Sequence, residues 1–454
     1  MKNERKRQSV RLVRLTAAVL SVLLCGTAAG CGGTAGGGSS AVPTGTADTS
    51  AALPPETTNT VSTEEGPTMP NTTASAATTA AGKTTAAADR TTGTTKAATA
   101  APTAAPQRTY YDAAVGMWYT VWWDSEGQPY YEHHWVKETR STPVRYGRYA
   151  TDDAEKLRYD FSYFKRIGID YLILDDTNDH QADGGNIASH INACFKTAAA
   201  MGRAAAPQLC IAGGSPLLNG SVERMDAELS IFAAYANRYK DTYFNWKGKP
   251  LFVDFVLPRL FGYKNDKFTV RNACGHTSEA NAIAQAGKYS VKEQGLFGWV
   301  FDREFPGAEA YGVNPGWSRS HNGLQSGSPA LSRENGDTYR RMWLRALKAK
   351  PETIVIASWN DHAEETGIEA VRLSETVEGR ENEEKNPYLY EQMTEGYLAL
   401  KTGYVDGFYY KAESDTQIYR YSGGRLQKVS SVPADGVLLW IPDDHYDWAG
   451  VKRD

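Results

Sequence analysis

Acidic side chains follow four short apolar runs in the part of the sequence after residue 107. The carboxylates of interest are Asp176, Asp254, Asp302, Glu304 and Glu364. Cleavage of a glycosidic bond needs one carboxylic acid to protonate the leaving oxygen, and a second carboxylate to activate water or attack the sugar. We therefore predict Asp176, Asp254, Glu304 and Glu364 as catalytic candidates, and Asp302 as a substrate contact.

Each of these carboxylates also has a structural alternative. Asp254 ends the apolar run PLFVDF, where a buried charge is costly unless it has a partner or a purpose. It could instead brace a neighbouring loop, and Glu364 could orient another acid or bond only to backbone amides. Asp175 and Asp176 are adjacent, so in a strand they point to opposite faces, and at most one of them faces a shared site.

Aromatic and amide side chains accompany the acids, a composition that suits a neutral polyol. The candidates for substrate contact are Trp118, Trp122, Trp123, His134, Trp135, Trp317, Trp359 and Asn360. Indole rings can stack on the apolar faces of pyranoses, and amides can bond to their hydroxyls. Core packing is the alternative for the tryptophans, and a structural hydrogen bond is the alternative for His134 and Asn360.

Motifs for other chemistries are missing from the sequence. No phosphate-binding glycine loop, GxSxG elbow or HExxH motif occurs, and the net charge of −4 argues against nucleic acid as a partner. Beyond Cys25 and Cys31, the three cysteines Cys194, Cys210 and Cys274 cannot all pair, and no CxxC spacing suggests a disulfide framework or a zinc site. No cofactor is expected, and no metal ligand is assigned. Acids at a barrel mouth can hold Ca²⁺, but no EF-type loop occurs, so the sequence leaves Ca²⁺ binding open.

The acids end strand-like runs that alternate with helical segments, the pattern of repeated βα units. The predicted strands are Val115–Trp123, Ile169–Asp175, Gln208–Ala212, Pro250–Phe255, Lys267–Ala273, Leu296–Asp302, Ala310–Asn314 and Thr353–Trp359. The predicted helices are Asp152–Arg166, Ile187–Arg203, Ser221–Tyr239, Ser278–Tyr289, Arg333–Lys348 and Pro387–Lys401. Eight strands predict a (β/α)₈ barrel of the TIM type over residues 108–403, with its site at the carboxyl ends of the strands. Residues 404–454 alternate like short strands and predict a small β appendage, which either seals the barrel or contacts sugar.

The first 107 residues differ in composition from the rest. Residues 1–30 combine a basic start with a short apolar run, which is typical of an export signal. The small residues before Cys31 resemble a bacterial lipobox, which predicts a lipid anchor on Cys31; an ordinary secretory signal is the alternative. Residues 31–107 are rich in Thr, Ala and Pro and predict a disordered linker. The protein is thus expected at an extracellular, lipid-anchored position on a Gram-positive cell surface.

The segment from Arg333 through Ser358-Trp359-Asn360 to Glu369 resembles the last βα unit of glycoside hydrolase families 71 and 99. The opening strand, the His134-Trp135 loop and the Gly168-Ile169-Asp170 strand are similar as well. The chain departs from that pattern at Asp361, His362 and Glu365, where the families usually carry Glu, Trp and Gly. It also has no acid at the end of the third strand, where those families carry a catalytic carboxylate. The resemblance implies a (β/α)₈ barrel that acts on α-linked glucan, mannan or similar glycans. It also implies a catalytic carboxylate near strand four, as in family 71, and a glutamate after strand eight that Glu364 matches.

These observations together predict an extracellular glycoside hydrolase that acts on a polysaccharide or glycan by paired-carboxylate acid/base catalysis. Strands four and eight lie on opposite sides of a barrel, so pairing Asp254 with Glu364 favours a water-using, inverting reaction. The alternative is a carbohydrate-binding surface lipoprotein with the same barrel and no catalysis, which the missing third-strand acid favours. A barrel for polysaccharide biosynthesis fits the long linker less well. Sugar and linkage are not predicted.

Overall fold

The computed structural model of the chain describes residues 109–214, 222–255, 263–273, 297–298, 307–319, 321 and 331–454. The predicted signal peptide, Cys31 and the linker lie outside the described residues, as do Asp302, Glu304, Cys274 and the predicted helix Ser278–Tyr289. Within the described ranges, no helix combines the length and the apolar character that crossing a membrane requires.

Seven strands of the described chain form one parallel sheet. The first nine strands in chain order are β1 Ala114–Thr120, β2 Ser141–Pro143, β3 Tyr171–Asp175, β4 Gln208–Gly213, β5 Asn245–Trp246, β6 Lys249–Asp254, β7 Thr269–Asn272, β8 Ala310–Val313 and β9 Thr353–Ile356. The parallel strands lie in the order β7-β6-β4-β3-β1-β9-β8, and β5 pairs antiparallel with the start of β6. Seven of the eight strands predicted from the sequence are thereby confirmed. The short strand β2 pairs with β10 Val371–Leu373 in a separate ribbon.

Helices alternate with these strands, which makes the protein a mixed α/β structure. They are α1 Ala154–Ile167, α2 Asn186–Met201, α3 Val222–Arg238, α4 Asp337–Ala349, α5 Glu381–Lys385 and α6 Leu389–Ala399. Helix α1 shows why the predicted boundaries are close. The Asp153 carboxylate accepts the first free backbone N–H groups, from Glu155 and Lys156, and the helix stops at Gly168, whose φ of 99° suits glycine.

The interior of the sheet is packed with large side chains. Strand β3 is buried along its whole length, as expected for a parallel sheet that is covered on both faces. The ring of Tyr171 stacks on Phe244 at 3.9 Å between centroids. The indole N–H of Trp118 donates to the carbonyl oxygen of Phe297 at 2.5 Å, so Trp118 reaches inside the sheet to a segment between β7 and β8.

The predicted sixth barrel strand, Leu296–Asp302, is described only at Phe297 and Gly298. The backbone N–H of Phe297 donates to the carbonyl oxygen of Asn272 at 3.2 Å, which places this segment beside the end of β7. Closure of the sheet into a complete eight-stranded barrel stays a prediction.

The C-terminal residues form a second sheet of five strands. They are β11 Tyr409–Ala412, β12 Ile418–Ser422, β13 Arg425–Val429, β14 Leu438–Ile441 and β15 Lys452–Arg453, with the short helix α7 His445–Ala449 before the last. The turn between β12 and β13 consists of Gly423 and Gly424, both with positive φ, the geometry of a tight hairpin. Arg340 of α4 donates to the carbonyl oxygen of Leu438 at 2.9 Å, so this sheet packs on the helices of the first.

Candidate active site at the ends of strands β3, β8 and β9

The register of the parallel strands shows which strand-end side chains share a face. Thr120 of β1 is the partner of Asp175 in β3, and Trp118 is the partner of Ile173. Since side chains two residues apart lie on the same face, Asp175 shares the interior face with Trp118. Asp176 points to the opposite face, toward the helices.

Asp175 lies in a group of three carboxyl side chains with Asp361 and Glu364. Burial raises the pKa of Asp175 to about 7; hydrogen bonds from Thr177 oppose this, and the negative charge of Glu364 adds to it. Burial also raises the pKa of Asp361 well above its ordinary value, and the charges of Glu364 and Asp175 act in the same direction. The sequence-based selection missed Asp361, although it stands three residues before Glu364 in the motif that carries the family resemblance.

Glu364 is the solvent-accessible member of this group, with 29% of its side chain exposed. Its Oε2 accepts the indole N–H of Trp317 at 2.9 Å, and its Oε1 lies 3.5 Å from the guanidinium of Arg319. The half-buried Trp317 follows β8, so the loops after β3, β8 and β9 all contribute to one site. A buried acid, an accessible carboxylate and an indole are the groups that protonation of a leaving oxygen and binding of a sugar ring require.

Two arginines, Arg333 and Arg140, bind the loop that carries Asp361 and Glu364. Arg333 donates to the carbonyl oxygens of Glu365 and Gly367 at 2.8 and 2.7 Å. Arg140 binds both carboxylate oxygens of Glu365, at 2.5 and 3.0 Å. Glu365 has a φ of 53°, a conformation that non-glycine residues rarely adopt. These charge-assisted bonds fix the geometry in which Glu364 projects.

Most of the tryptophans predicted as sugar contacts lie in the protein core, which differs from the prediction. Their exposed fractions are 0% for Trp118, Trp123 and Trp135, and 1% for Trp359. Trp123 packs on Trp135 with ring centroids 4.1 Å apart. Rings enclosed in this way have no open face for a sugar to stack on, so their burial favours the core-packing alternative.

Asn360 and Trp122, two further predicted substrate contacts, differ in burial and in hydrogen bonding. The amide of Asn360 is fully buried and bonds to both backbone groups of Thr120, at 2.8 and 3.1 Å. Asn360 therefore connects the loop after β9 with the end of β1, which agrees with the structural alternative given for it above. Trp122 is 8% exposed, and within the described part of the chain its indole N–H has no hydrogen-bond partner. Trp122 and Trp317 are the two predicted aromatic contacts that retain some access.

A second group of carboxyl side chains lies on the helix-facing side of the sheet. Asp254 is the register partner of Gly213, and Phe252, two residues before it, packs on Phe232 of α3 with centroids 5.8 Å apart. The Asp176 carboxylate is buried there too, 2.7 Å from the ring of His180. A catalytic role of Asp176 and Asp254 stays a prediction, but their placement favours Asp175 and Asp361 as the partners of Glu364.

Glu228 of α3 completes this second group and was missed in the sequence. Its carboxylate accepts the backbone N–H of Gly214 at 3.1 Å, so it occupies the end of the third parallel strand, where the chain has no acid of its own. Burial, together with the charge of Asp176, raises the pKa of Glu228 to about 8. The signal was a glutamate on the apolar face of α3, one position before Leu229 and three after Met225.

His134 lies beside the site in the π-helical turn Glu132–Lys137, which follows β1. Its Nδ1 is 2.9 Å from Glu138 and its Nε2 is 2.9 Å from Asp183. Burial alone would lower the pKa of His134, but the bonds to the two carboxylates outweigh it and raise that pKa to about 9. Among the described residues, His133, His134 and Glu138 form the one group whose side-chain atoms are close enough together to hold a metal ion.

No protein-family model and no curated protein matches this chain. Solved structures with similarity include a GH99 endo-alpha-mannosidase from Bacteroides thetaiotaomicron, with a TM-score of 0.49 and 17% identity over 63% of this chain and 97% of that one. The same enzyme in complex with bis-tris-propane gives 0.47 and 16%, again over 63% and 97%. A glycoside hydrolase-like protein gives 0.39 and 12%, over 60% and 91%. Because each TM-score is below 0.5, these likenesses establish neither a shared fold nor a shared activity.

Proposed function

We propose that the protein hydrolyses glycosidic bonds of a polysaccharide or glycan, with Asp361 and Glu364 as its acid/base pair and Asp175 as their neighbour. The observation that carries the proposal is the contrast between the two acids of one loop. Asp361 is 2% exposed and has a raised pKa, whereas Glu364 is 29% exposed and held by donors. Pairs of acids in such different environments are a common basis of acid/base catalysis.

Each acid has a distinct role in this proposal. Burial and two neighbouring carboxylates raise the pKa of Asp361 by disfavouring its charged form, and this suits Asp361 to the role of the acid that protonates the leaving oxygen. Glu364 is open to solvent, and its partners are the N–H of Trp317 and the cation of Arg319. It can accept a proton from water or attack the sugar carbon.

The resemblance of the loop sequence to glycoside hydrolase families 71 and 99 supports the same assignment. Ser358, Trp359 and Asn360 precede the two acids, as in the motif that carries the resemblance. We further propose that the segment at Phe297 belongs to the predicted sixth barrel strand, Leu296–Asp302, which would complete the eight strands of a (β/α)₈ barrel. The bond from Phe297 to Asn272 beside β7 supports this closure.

The place of action proposed from the sequence is the outer surface of the cell, with a lipid on Cys31. In the native host, Cys31→Ser should release the protein from the membrane fraction into the medium. If the Ser variant stays in the membrane fraction as fully as the parent, the proposed lipid anchor on Cys31 is wrong.

Hydrolysis is tested by incubating the full chain with a panel of α- and β-linked glycans and measuring new reducing ends. The proposal expects one class of glycan to be cleaved. If the protein binds a glycan in pull-down but generates no reducing ends from any of the panel, it is a carbohydrate-binding protein and the hydrolase proposal fails.

A further inference from the structure

The turn after β1 brings three potential metal ligands together at the edge of the candidate active site. His134 Nδ1 lies 2.9 Å from Glu138 Oε2, and His133 Nε2 lies 3.5 Å from Glu138 Oε1. One ligand atom from each of the three side chains falls within 4.8 Å of the other two. The π-helical turn Glu132–Lys137 produces this arrangement, because it directs two consecutive histidines toward one carboxylate.

We propose that His133, His134 and Glu138 bind a divalent transition-metal ion of the zinc type. Zn²⁺ takes nitrogen and carboxylate ligands at about 2.0–2.2 Å in a tetrahedron, which places ligand atoms about 3.3 Å apart. The two observed separations, 2.9 and 3.5 Å, bracket that value. The ligand atoms of the two histidines lie within 4.8 Å of each other, so the exposed His133 ring must move toward His134 to complete the tetrahedron.

The surroundings of His134 are those of a metal ligand. Its second ring nitrogen, Nε2, lies 2.9 Å from the Asp183 carboxylate. Histidines that bind metals usually donate their other N–H to a carboxylate or carbonyl in this way, which fixes the ring and makes Nδ1 a stronger ligand. Metal binding at Nδ1 would replace the direct contact with Glu138 by a shared ion, while Nε2 keeps its contact with Asp183.

The donor set also indicates which class of ion fits. Two imidazoles with one carboxylate favour Zn²⁺ over Ca²⁺ and Mg²⁺, which prefer oxygen ligands. The side chain of His133 is 49% exposed and that of Glu138 is 19% exposed, so a fourth, solvent-side position is open to water. The carbonyl oxygen of Glu138 accepts a bond from His321 at 2.5 Å, which holds the end of the turn in place.

The side chains of Arg319 and Trp122 connect this turn with the candidate active site. Arg319 is ion-paired with Glu364, and its positive charge also acts on Glu138. The ring of Trp122 lies 6.3 Å from that of His134. A bound ion would thus lie beside the acid/base pair without being bound by it, so the metal proposal does not depend on the proposed hydrolysis.

The test is Zn²⁺ binding by the full chain, expressed without a histidine tag and stripped of metal, followed by titration calorimetry. We expect one Zn²⁺ per chain, with no competition from excess Ca²⁺ or Mg²⁺, and visible absorption bands of tetrahedral Co²⁺ after substitution. His133→Ala and Glu138→Gln should each weaken binding by more than about tenfold, and Asp183→Asn by about 10–100-fold.

Glu132→Gln is the matched control, because Glu132 is an exposed acid of the same turn and not a ligand. It should bind Zn²⁺ as the parent does. His133 is half exposed, so His133→Ala should stay folded even if Glu138→Gln does not. Absence of stoichiometric Zn²⁺ binding by the parent, or parent-like affinity in His133→Ala, would overturn the proposal and leave His134 as a histidine clamped between two carboxylates.

Discussion

The backbone N–H of Glu364 donates to the carboxylate of Asp361 at 2.8 Å. This bond closes a tight turn in which one acid is enclosed and the next acid of the loop reaches solvent. The proposed acid and its partner are thus set by local chain geometry, while Arg333 and Arg140 hold the turn from the other side.

The buried acids on the helix-facing side of the sheet, Asp176, Glu228 and Asp254, should make the stability of the protein depend on pH. The pKa of Glu228 is raised to about 8 and that of Asp176 to about 6, in both cases first by burial. A carboxyl group whose folded pKa is raised contributes stability below its unfolded pKa of about 4, and loses it as pH rises through the folded value. The free energy of unfolding should therefore fall between pH 5 and pH 8.

Glu228→Gln isolates this effect, because glutamine has nearly the same shape, can still accept the N–H of Gly214 and does not ionise. Denaturant unfolding at several pH values should show a shallower decline for the variant than for the parent. An identical decline in both proteins would mean that Glu228 does not titrate in this range.

The buried and half-buried tryptophans should respond differently to substitution. Trp123→Ala removes a fully enclosed ring and should cost about 3–5 kcal/mol of stability, as large core truncations do. Trp317→Phe keeps a ring beside Glu364 but removes the N–H donor, so it should lower glycan turnover with a much smaller loss of stability. Thermal unfolding and kinetics of the two variants distinguish core packing from substrate contact. The reverse pattern would show that these two rings were assigned to the wrong roles.

Substitution of Asp254 tests whether the acids on the helix-facing side of the sheet take part in catalysis. Its Oδ1 has no hydrogen-bond partner in the described part of the chain, and burial raises its pKa well above the ordinary value. Since it faces helix α3, Asp254→Asn should keep turnover close to that of the parent. Loss of turnover by about 10²-fold or more in a folded Asp254→Asn protein would instead support the pairing of Asp254 with Glu364 predicted from the sequence.

The positions of the strands could be predicted because each buried strand is a short apolar run with clear boundaries. The run Gln208–Ala212 became β4 Gln208–Gly213, and Ala310–Asn314 became β8 Ala310–Val313. The apolar run Val115–Trp123 was predicted as one strand, but the strand ends at Thr120. The residues after it turn into the loop that Asn360 ties down.

The content of the site was harder to predict, for three physical reasons. A period of two shows that Asp175 and Asp176 face opposite sides, but only the register with Thr120 shows which of them is interior. Glu228 reaches the end of β4 from a helix, so inspection of strand ends could not find it. Enclosure of Trp123 by Trp135 and His362 depends on loops that are distant in sequence.

The most direct test of the account is the turnover of Glu364→Gln on a glycan that the parent cleaves. The account predicts a loss of about 10²–10⁴-fold in kcat, as is typical when a general acid or base is removed. The melting temperature should stay near that of the parent, because the Glu364 side chain is partly exposed. Turnover by Glu364→Gln at the level of the parent would contradict the assignment of the acid/base pair.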